Sequence, residues 1–328
     1  MNSNPDAVVF DPSLASTLTV ESIRASRSDP DTLKTGIAQL DNHFVMLRPR
    51  RVIGLLGYTS DGKSSLSNRM ACNFIPQLKP DEIVVYGTWE DAVEDLTLSY
   101  LANVSRISIT SLFRGNLTVS EWNEMMKAAV QRAQTPLWVI GHSEQKEARR
   151  PRLTMTDLWA AMEYIVDKRG KKVRAVFLDY LQRINRDDIK GDTRQQYMTI
   201  MDKVKDLALG FNTCVIIGSQ VGRDVRERKW KLPQDNDAQE TSNFEQTADG
   251  LLSLWIPRRT EKLGEVLIEA KGESSAIHVT EKLMLIGTLK QKKAIAPVIT
   301  AVDFHPETNE FTAYTAPTVK TWRPNETV

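Results

Sequence analysis

Two kinds of apolar patterning alternate along this chain. Short runs that are apolar at nearly every position are separated by longer stretches in which apolar residues return every third or fourth position. The first kind reads as buried strand and the second as amphipathic helix. Strands are predicted at Val52–Gly57, Ile83–Gly87, Leu137–Ile140, Val173–Asp179 and Thr213–Gly218. Helices are predicted at Ser64–Phe74, Ala92–Leu101, Glu121–Arg132, Thr156–Asp167 and Gln195–Leu209. Strands that alternate with helices of this length predict a parallel sheet joined by crossover helices. After Leu251 the helical spacing stops. Strand-like runs at Leu251–Ile256, Glu265–Ala270, Lys282–Gly287, Val298–Phe304 and Glu310–Tyr314 predict antiparallel hairpins at the end of the sheet. The patterning divides the chain into an arm (1–33), a body (34–315) and a tail (316–328). The arm, rich in Ser, Pro and Asp, reads as flexible with a short helix near Thr19–Ala25.

Charge refines this picture. Lys plus Arg number 43 and Asp plus Glu 42, a formal charge of +1, so the chain is no passive polycation. The sum conceals a segregation, because the first 33 residues carry a net −3, the segment from Val302 a net −2, and residues 34–301 between them +6. No apolar run is long enough to span a bilayer, and the N-terminal residues do not resemble a secretory signal. Cys72 and Cys214 are predicted to be inert thiols in a reducing cytoplasm.

The sharpest chemical signal is Gly57-Tyr58-Thr59-Ser60-Asp61-Gly62-Lys63-Ser64, followed by Ser65. It fits the phosphate-loop pattern of two glycines followed by Lys and Ser, between a predicted strand and a predicted helix. Backbone N–H groups of such a loop wrap a pyrophosphate, Lys63 meets the β and γ oxygens, and the Ser64 hydroxyl suits Mg²⁺. ATP and Mg²⁺ are therefore the expected ligands. Asp179 closes the apolar run Val173–Asp179 and is the expected second metal-site group. Glu90, just past the run that begins at Ile83, is the expected group to polarise an attacking water. Gln220, at the end of the Thr213–Ser219 run, is placed to report the γ-phosphate.

Beyond Gln220 the segment Arg223–Lys231 holds five basic residues against two acidic ones, with Trp230 among them. Arg223, Arg226, Arg228 and Lys229 are candidate phosphate contacts on nucleic acid, and Trp230 a candidate for base stacking. Lys190 and Arg194 lie on a second candidate loop. Lys290 and Lys292 follow an apolar strand, where cations can reach a γ-phosphate in a neighbouring subunit.

Taken together, these motifs resemble the RecA-like motor domain of DnaB-type replicative helicases from about Thr35 to Phe304. The resemblance rests on Lys34–Asp41, the phosphate loop, Thr88-Trp-Glu90-Asp with Leu101–Arg106, Phe177-Leu-Asp179-Tyr-Leu-Gln182, Gly218-Ser-Gln220, Asp237–Asp249 and Lys290-Gln-Lys292, all in the family's order. It implies a RecA-like phosphate-loop ATPase fold, a homo-hexameric ring, single-stranded DNA in the channel and 5′-to-3′ movement. It also implies contact with a primase or helicase loader, and DNA contacts through Gln239, Glu240 and Ser242. Three departures stand out. Only about 34 residues precede the motor; Lys292 stands where the family has Arg; Gln239 and Ser242 stand where it often has Arg and Gly. A RecA-like recombinase or mediator, and a non-unwinding nucleotide-binding scaffold, are the competing readings.

Overall fold

The computed structural model describes residues 11–28, 31–144, 153–238, 242–269, 276–292 and 294–316. In chain order, helix α1 (Pro12–Ser28) and the single turn α2 (Ala38–Asp41) precede strand β1 (Val52–Gly57). Then come α3 (Lys63–Phe74), β2 (Glu82–Thr88), α4 (Val93–Ser105), α5 (Ile109–Arg114), α6 (Val119–Gln134) and β3 (Leu137–Ile140). Next are α7 (Met155–Glu163), β4 (Lys172–Asp179), α8 (Thr193–Gly210), β5 (Cys214–Gln220) and α9 (Ser242–Thr247). The remaining strands are β6 (Gly250–Trp255), β7 (Val266–Ile268), β8 (Ile277–His278), β9 (Leu283–Gln291), β10 (Val298–His305) and β11 (Glu310–Ala313).

One nine-stranded sheet has the order β11-β10-β9-β6-β1-β5-β4-β2-β3. The strands from β6 to β3 run parallel, and β9, β10 and β11 extend the β6 edge antiparallel. The central strands are buried on both faces, which explains why they read as unbroken apolar runs. Alternate residues serve opposite layers. Leu55, Tyr86, Phe177 and Ile216 meet Leu66, Met70 and Phe74 of α3 on one face. Leu56, Val85, Val176 and Ile217 meet Leu158 of α7 and Ile200, Met201 and Val204 of α8 on the other.

The structure corrects the patterning in four places. The arm holds a helix from Pro12 to Ser28, longer than the short Thr19–Ala25 turn, begun by the Asp11 carboxylate accepting from the Leu14 N–H at 2.8 Å. Helix α5 is too short to show an apolar period, and is fixed by the Ser108 cap on the Ser111 N–H. Helix α7 continues as a π-helical segment, Tyr164–Lys168. The predicted strand at Glu265–Ala270 shrinks to β7, which pairs with β8 in a separate two-stranded sheet. The tail from residue 317 lies outside the described residues. Among the described residues, no helix is long and apolar enough to cross a membrane.

Candidate nucleotide site

Strand register builds the site. Gly57 at the end of β1 sits beside Gln220 at the end of β5, and Thr88 at the end of β2 sits beside Asp179 at the end of β4. With β4 and β5 also paired, four strand ends open onto one edge of the sheet, where open α/β sheets take their ligands. A cleft of about 150 Å³ lies there, lined by Thr59, Ser60, Gly62, Lys63, Ser64, Ser65, Glu90, Tyr180 and Gln220.

The loop between β1 and α3 has backbone requirements that only certain residues meet. Gly62 caps α3 at φ +84°, and a Cβ there would lie 2.6 Å from Met284 Cε. The left-handed φ is the condition that favours glycine there. The α3 N-terminus then points its N–H groups into the cleft. Lys63 is buried, and its Nζ donates to the carbonyl oxygens of Gly57 and Tyr58, both at 2.8 Å. Burial pulls the ammonium down to about 8, against the carboxylates of Asp179, Asp61 and Glu90, which hold it up. Asp61, inside the loop, is pushed up by burial to about 6 despite Arg259, Lys63 and Arg226 nearby.

Asp179 is buried at the end of β4, next to the cleft residue Tyr180. The Tyr86 hydroxyl donates to its Oδ2 at 3.0 Å, and the Ser64 hydroxyl also bonds it. Burial raises its pKa, and these two bonds with the Lys63 charge oppose the rise. A hydroxyl and a carboxylate in mutual contact beside a phosphate cradle form the all-oxygen donor set that Mg²⁺ prefers, so the residues fit the metal. Glu90 stands across the cleft, half exposed, with its Oε1 2.8 Å from Arg183 Nη2. Gln220 is tied to the 3₁₀ turn Leu181–Arg183 that follows β4, because its N–H donates to Gln182 Oε1 at 3.2 Å and Gln182 Nε2 donates to Ser219 Oγ at 3.0 Å.

The basic candidates scatter. Arg226 lies with its guanidinium carbon 4.4 Å from the Tyr58 ring centroid, on the phosphate loop itself. Arg228 is engaged by Asp237, with Nη1 donating to Oδ2 at 2.9 Å. Trp230 is half-buried and packs edge-on against Trp255 with ring centroids 5.4 Å apart. Lys190, Arg194 and Lys229 are exposed. Arg223 begins a short 3₁₀ segment, Arg223–Glu227, and Ser242 begins α9. Gln239 and Glu240 lie outside the described residues.

Lys290 and Lys292 lie far from their own cleft. Residue Gln291 of β9 pairs with Gly250 at the start of β6, whereas Leu254 near the end of β6 pairs with Gly57. The two lysines are therefore at the opposite end of the sheet from the phosphate loop. Lys290 Nζ donates to the Glu245 carbonyl at 2.6 Å, and Lys292 Nζ to Asp249 Oδ1 at 2.7 Å. Asp249 is fully buried and also meets Arg51 at 3.3 Å and Lys205 at 2.6 Å. Its burial favours the neutral acid, but hydrogen bonds from Lys205, Lys292 and the Val52 N–H prevail and carry it down to about 2.

Patterning alone does not reveal Tyr86, Arg183 or the three-cation shell of Asp249. Each partner is remote in sequence, although Arg183 lies only a turn beyond the Asp179 strand end.

The family described as DnaB-like helicase C terminal domain matches residues 32–300. The replicative DNA helicase DnaC of Bacillus subtilis is 25% identical over 231 residues, which are 70% of this chain and 48% of that protein. A probable plasmid replicative DNA helicase of Chlamydia trachomatis is 24% identical over 267 residues, 80% of this chain and 56% of that one. The chain thus spans about half the length of the curated relatives it matches. Among solved structures, one described as an ATPase domain superposes with a TM-score of 0.75 at 18% identity, over 93% of this chain and 100% of that one. A DnaB-like replicative helicase, described with its interactions with primase, also gives 0.75 at 18%, over 94% and 68%. These superpositions establish a shared fold.

Proposed function

The chain belongs to the family of DnaB-like helicase C-terminal domains, and on that premise we propose that it is an ATP-driven DNA helicase motor. The observation that carries this reading is the shared edge where β1, β5, β4 and β2 end, which brings Lys63, Ser64, Glu90 and Gln220 around one cleft with Asp179 bonded to Ser64 behind it. Lys63 would exchange the carbonyl oxygens of Gly57 and Tyr58 for phosphate oxygens, trading neutral acceptors for anionic ones. Ser64 and Asp179 would hold Mg²⁺, which supplies charge neutralisation at the β and γ oxygens. Glu90 would orient the attacking water and take its proton as the new O–P bond forms and ADP departs. Gln220, bonded to Gln182 in the turn after the Asp179 strand, would pass loss of the γ-phosphate toward the segment beyond it.

The same reading makes the working form a homo-hexameric ring around single-stranded DNA, moving 5′ to 3′, with a primase or loader as partner. Its DNA contacts fall to Lys190, Arg194, Arg223, Arg226, Arg228, Lys229, Gln239, Glu240 and Ser242. Lys290 and Lys292, turned away from their own cleft, would serve a neighbour's. Helix α1 exposes Leu14, Leu18, Val20 and Ile23, which suits packing on an adjacent copy.

The first test is hydrolysis. Lys63→Ala and Glu90→Gln should each lower DNA-stimulated ATP turnover by about 10²-fold or more, the scale of a general base. Turnover persisting in both variants would overturn the mechanism. Strand displacement on forks with 5′ or 3′ tails then reads polarity, and closed rings rather than open filaments in negative stain exclude the recombinase alternative.

A further inference from the structure

We propose that Arg183 is a positioning residue that restrains Glu90, and that a phosphodiester oxygen of single-stranded DNA releases it by taking the guanidinium. The proposal rests on the reading of Glu90 given above. Arg183 Nη2 lies 2.8 Å from Glu90 Oε1, and Arg183 Nε donates to the Tyr180 hydroxyl at 3.2 Å. The Tyr180 hydroxyl in turn bonds Glu90, so the three side chains close a ring at the rim of the cleft. A carboxylate that accepts from both a guanidinium and a phenol has fewer lone-pair directions left for water.

Two features make this a restraint that can open. Arg183 and Glu90 are each 45% exposed, and ion pairs so exposed are weak enough for a ligand to displace. Arg183 also sits between two parts of the machine. The residue before it, Gln182, is bonded to Ser219 and Gln220 on the sensor strand. The segment after it is anchored by buried Ile184 and Ile189 and presents Lys190 and Arg194 at the surface. A strand bound along Lys190 and Arg194 offers phosphate oxygens, and a guanidinium pairs with phosphate in bidentate geometry. Transfer of Arg183 to that phosphate leaves Glu90 free to engage water.

The test is steady-state ATP hydrolysis by the full chain, with and without a single-stranded oligonucleotide. Arg183→Ala should raise kcat without DNA about fivefold, equivalent to ~1 kcal/mol at 1.4 kcal/mol per decade. The ratio of DNA-stimulated to basal kcat should fall by a similar factor, with KM for ATP unchanged. Arg183→Lys, which keeps the charge, should restore most of the ratio, and Tyr180→Phe should give a smaller basal rise. These last two variants carry the test if Arg183→Ala does not fold. An unchanged ratio in all three variants, or a fall of both rates together, overturns the proposal. Glu90→Gln separates the two ideas. If that variant still hydrolyses ATP, the assignment of Glu90 fails. If it is inactive while Arg183→Ala keeps the wild-type ratio, only the restraint fails.

Discussion

Asp249 draws three cations onto one carboxylate. Its carboxylate is wholly buried among Arg51, Lys205 and Lys292 and is held at about 2, below the ordinary 3.8. A depressed carboxylate stabilises the fold above its unfolded pKa, and that contribution disappears as pH falls through the folded value. The window is therefore pH 4 down to 2, and the amount is about 2 kcal/mol. Urea unfolding between pH 5 and 2 should show the wild type losing about 2 kcal/mol more with acid than Asp249→Asn does. A parallel slope in the variant would remove the role. At this scale the sequence is uneven to read. Gly57, Gly62, Lys63 and Ser64 are legible because the phosphate loop needs fixed residue types at fixed spacing, and its φ and close contacts explain them. Arg183 and Tyr86 carry no such spacing, since each meets its carboxylate partner 93 residues away and only the fold joins them. The partner of Arg228 is hidden for the same reason, since its pairing with Asp237 follows from the fold of the loop and not from its basic composition.

Elements are easier to read than their roles. Strands buried on both faces and helices with one apolar side leave distinct patterns, so β1 to β6 and the helices between them are visible in the order of apolar and polar residues alone. What escapes is short or stabilised by local polar bonds, as with α5 and the π-helical end of α7. Helix α6 shows how much such bonds contribute. Thr118 accepts from the Glu121 N–H, and the Glu121 carboxylate returns bonds to the Thr118 N–H and hydroxyl at 2.8 Å. Because α6 buries little besides Ala128, its start depends on this reciprocal cap. Thr118→Ala should cost about 1 kcal/mol and, if the domain melts as one unit, lower Tm by about 2 °C. A calorimetric Tm within error of wild type would show that tertiary contacts alone define the helix start.

At the scale of the whole molecule, exposed apolar surface is the chief unexplained feature. Helix α1 shows Leu14, Leu18, Val20 and Ile23 to solvent, and α6 shows a stripe of Val119, Trp122, Met126 and Val130. Surfaces of this kind commonly mark association sites. If α1 packs on an adjacent copy, Leu14→Asp with Leu18→Asp should convert a hexamer into smaller species in sedimentation while leaving the monomer's circular dichroism unchanged. A hexamer that survives the double change would place the contact elsewhere. Patterning indicates a parallel sheet ending in hairpins but not this surface, because the periodicity that marks a helix does not tell which apolar residues its own fold covers.

Lys292 is a cation with two possible employers. Its ammonium already has a home on Asp249, so a lysine recruited to a neighbour's nucleotide must first leave an anion inside its own subunit. Arg51 and Lys205 remain to shield that anion, which makes departure tolerable but not free. Ring closure and protomer rigidity would then draw on the same cation. Each subunit would be slightly looser when it helps its neighbour, and firing at one junction would be felt inside the protomer that supplied the charge.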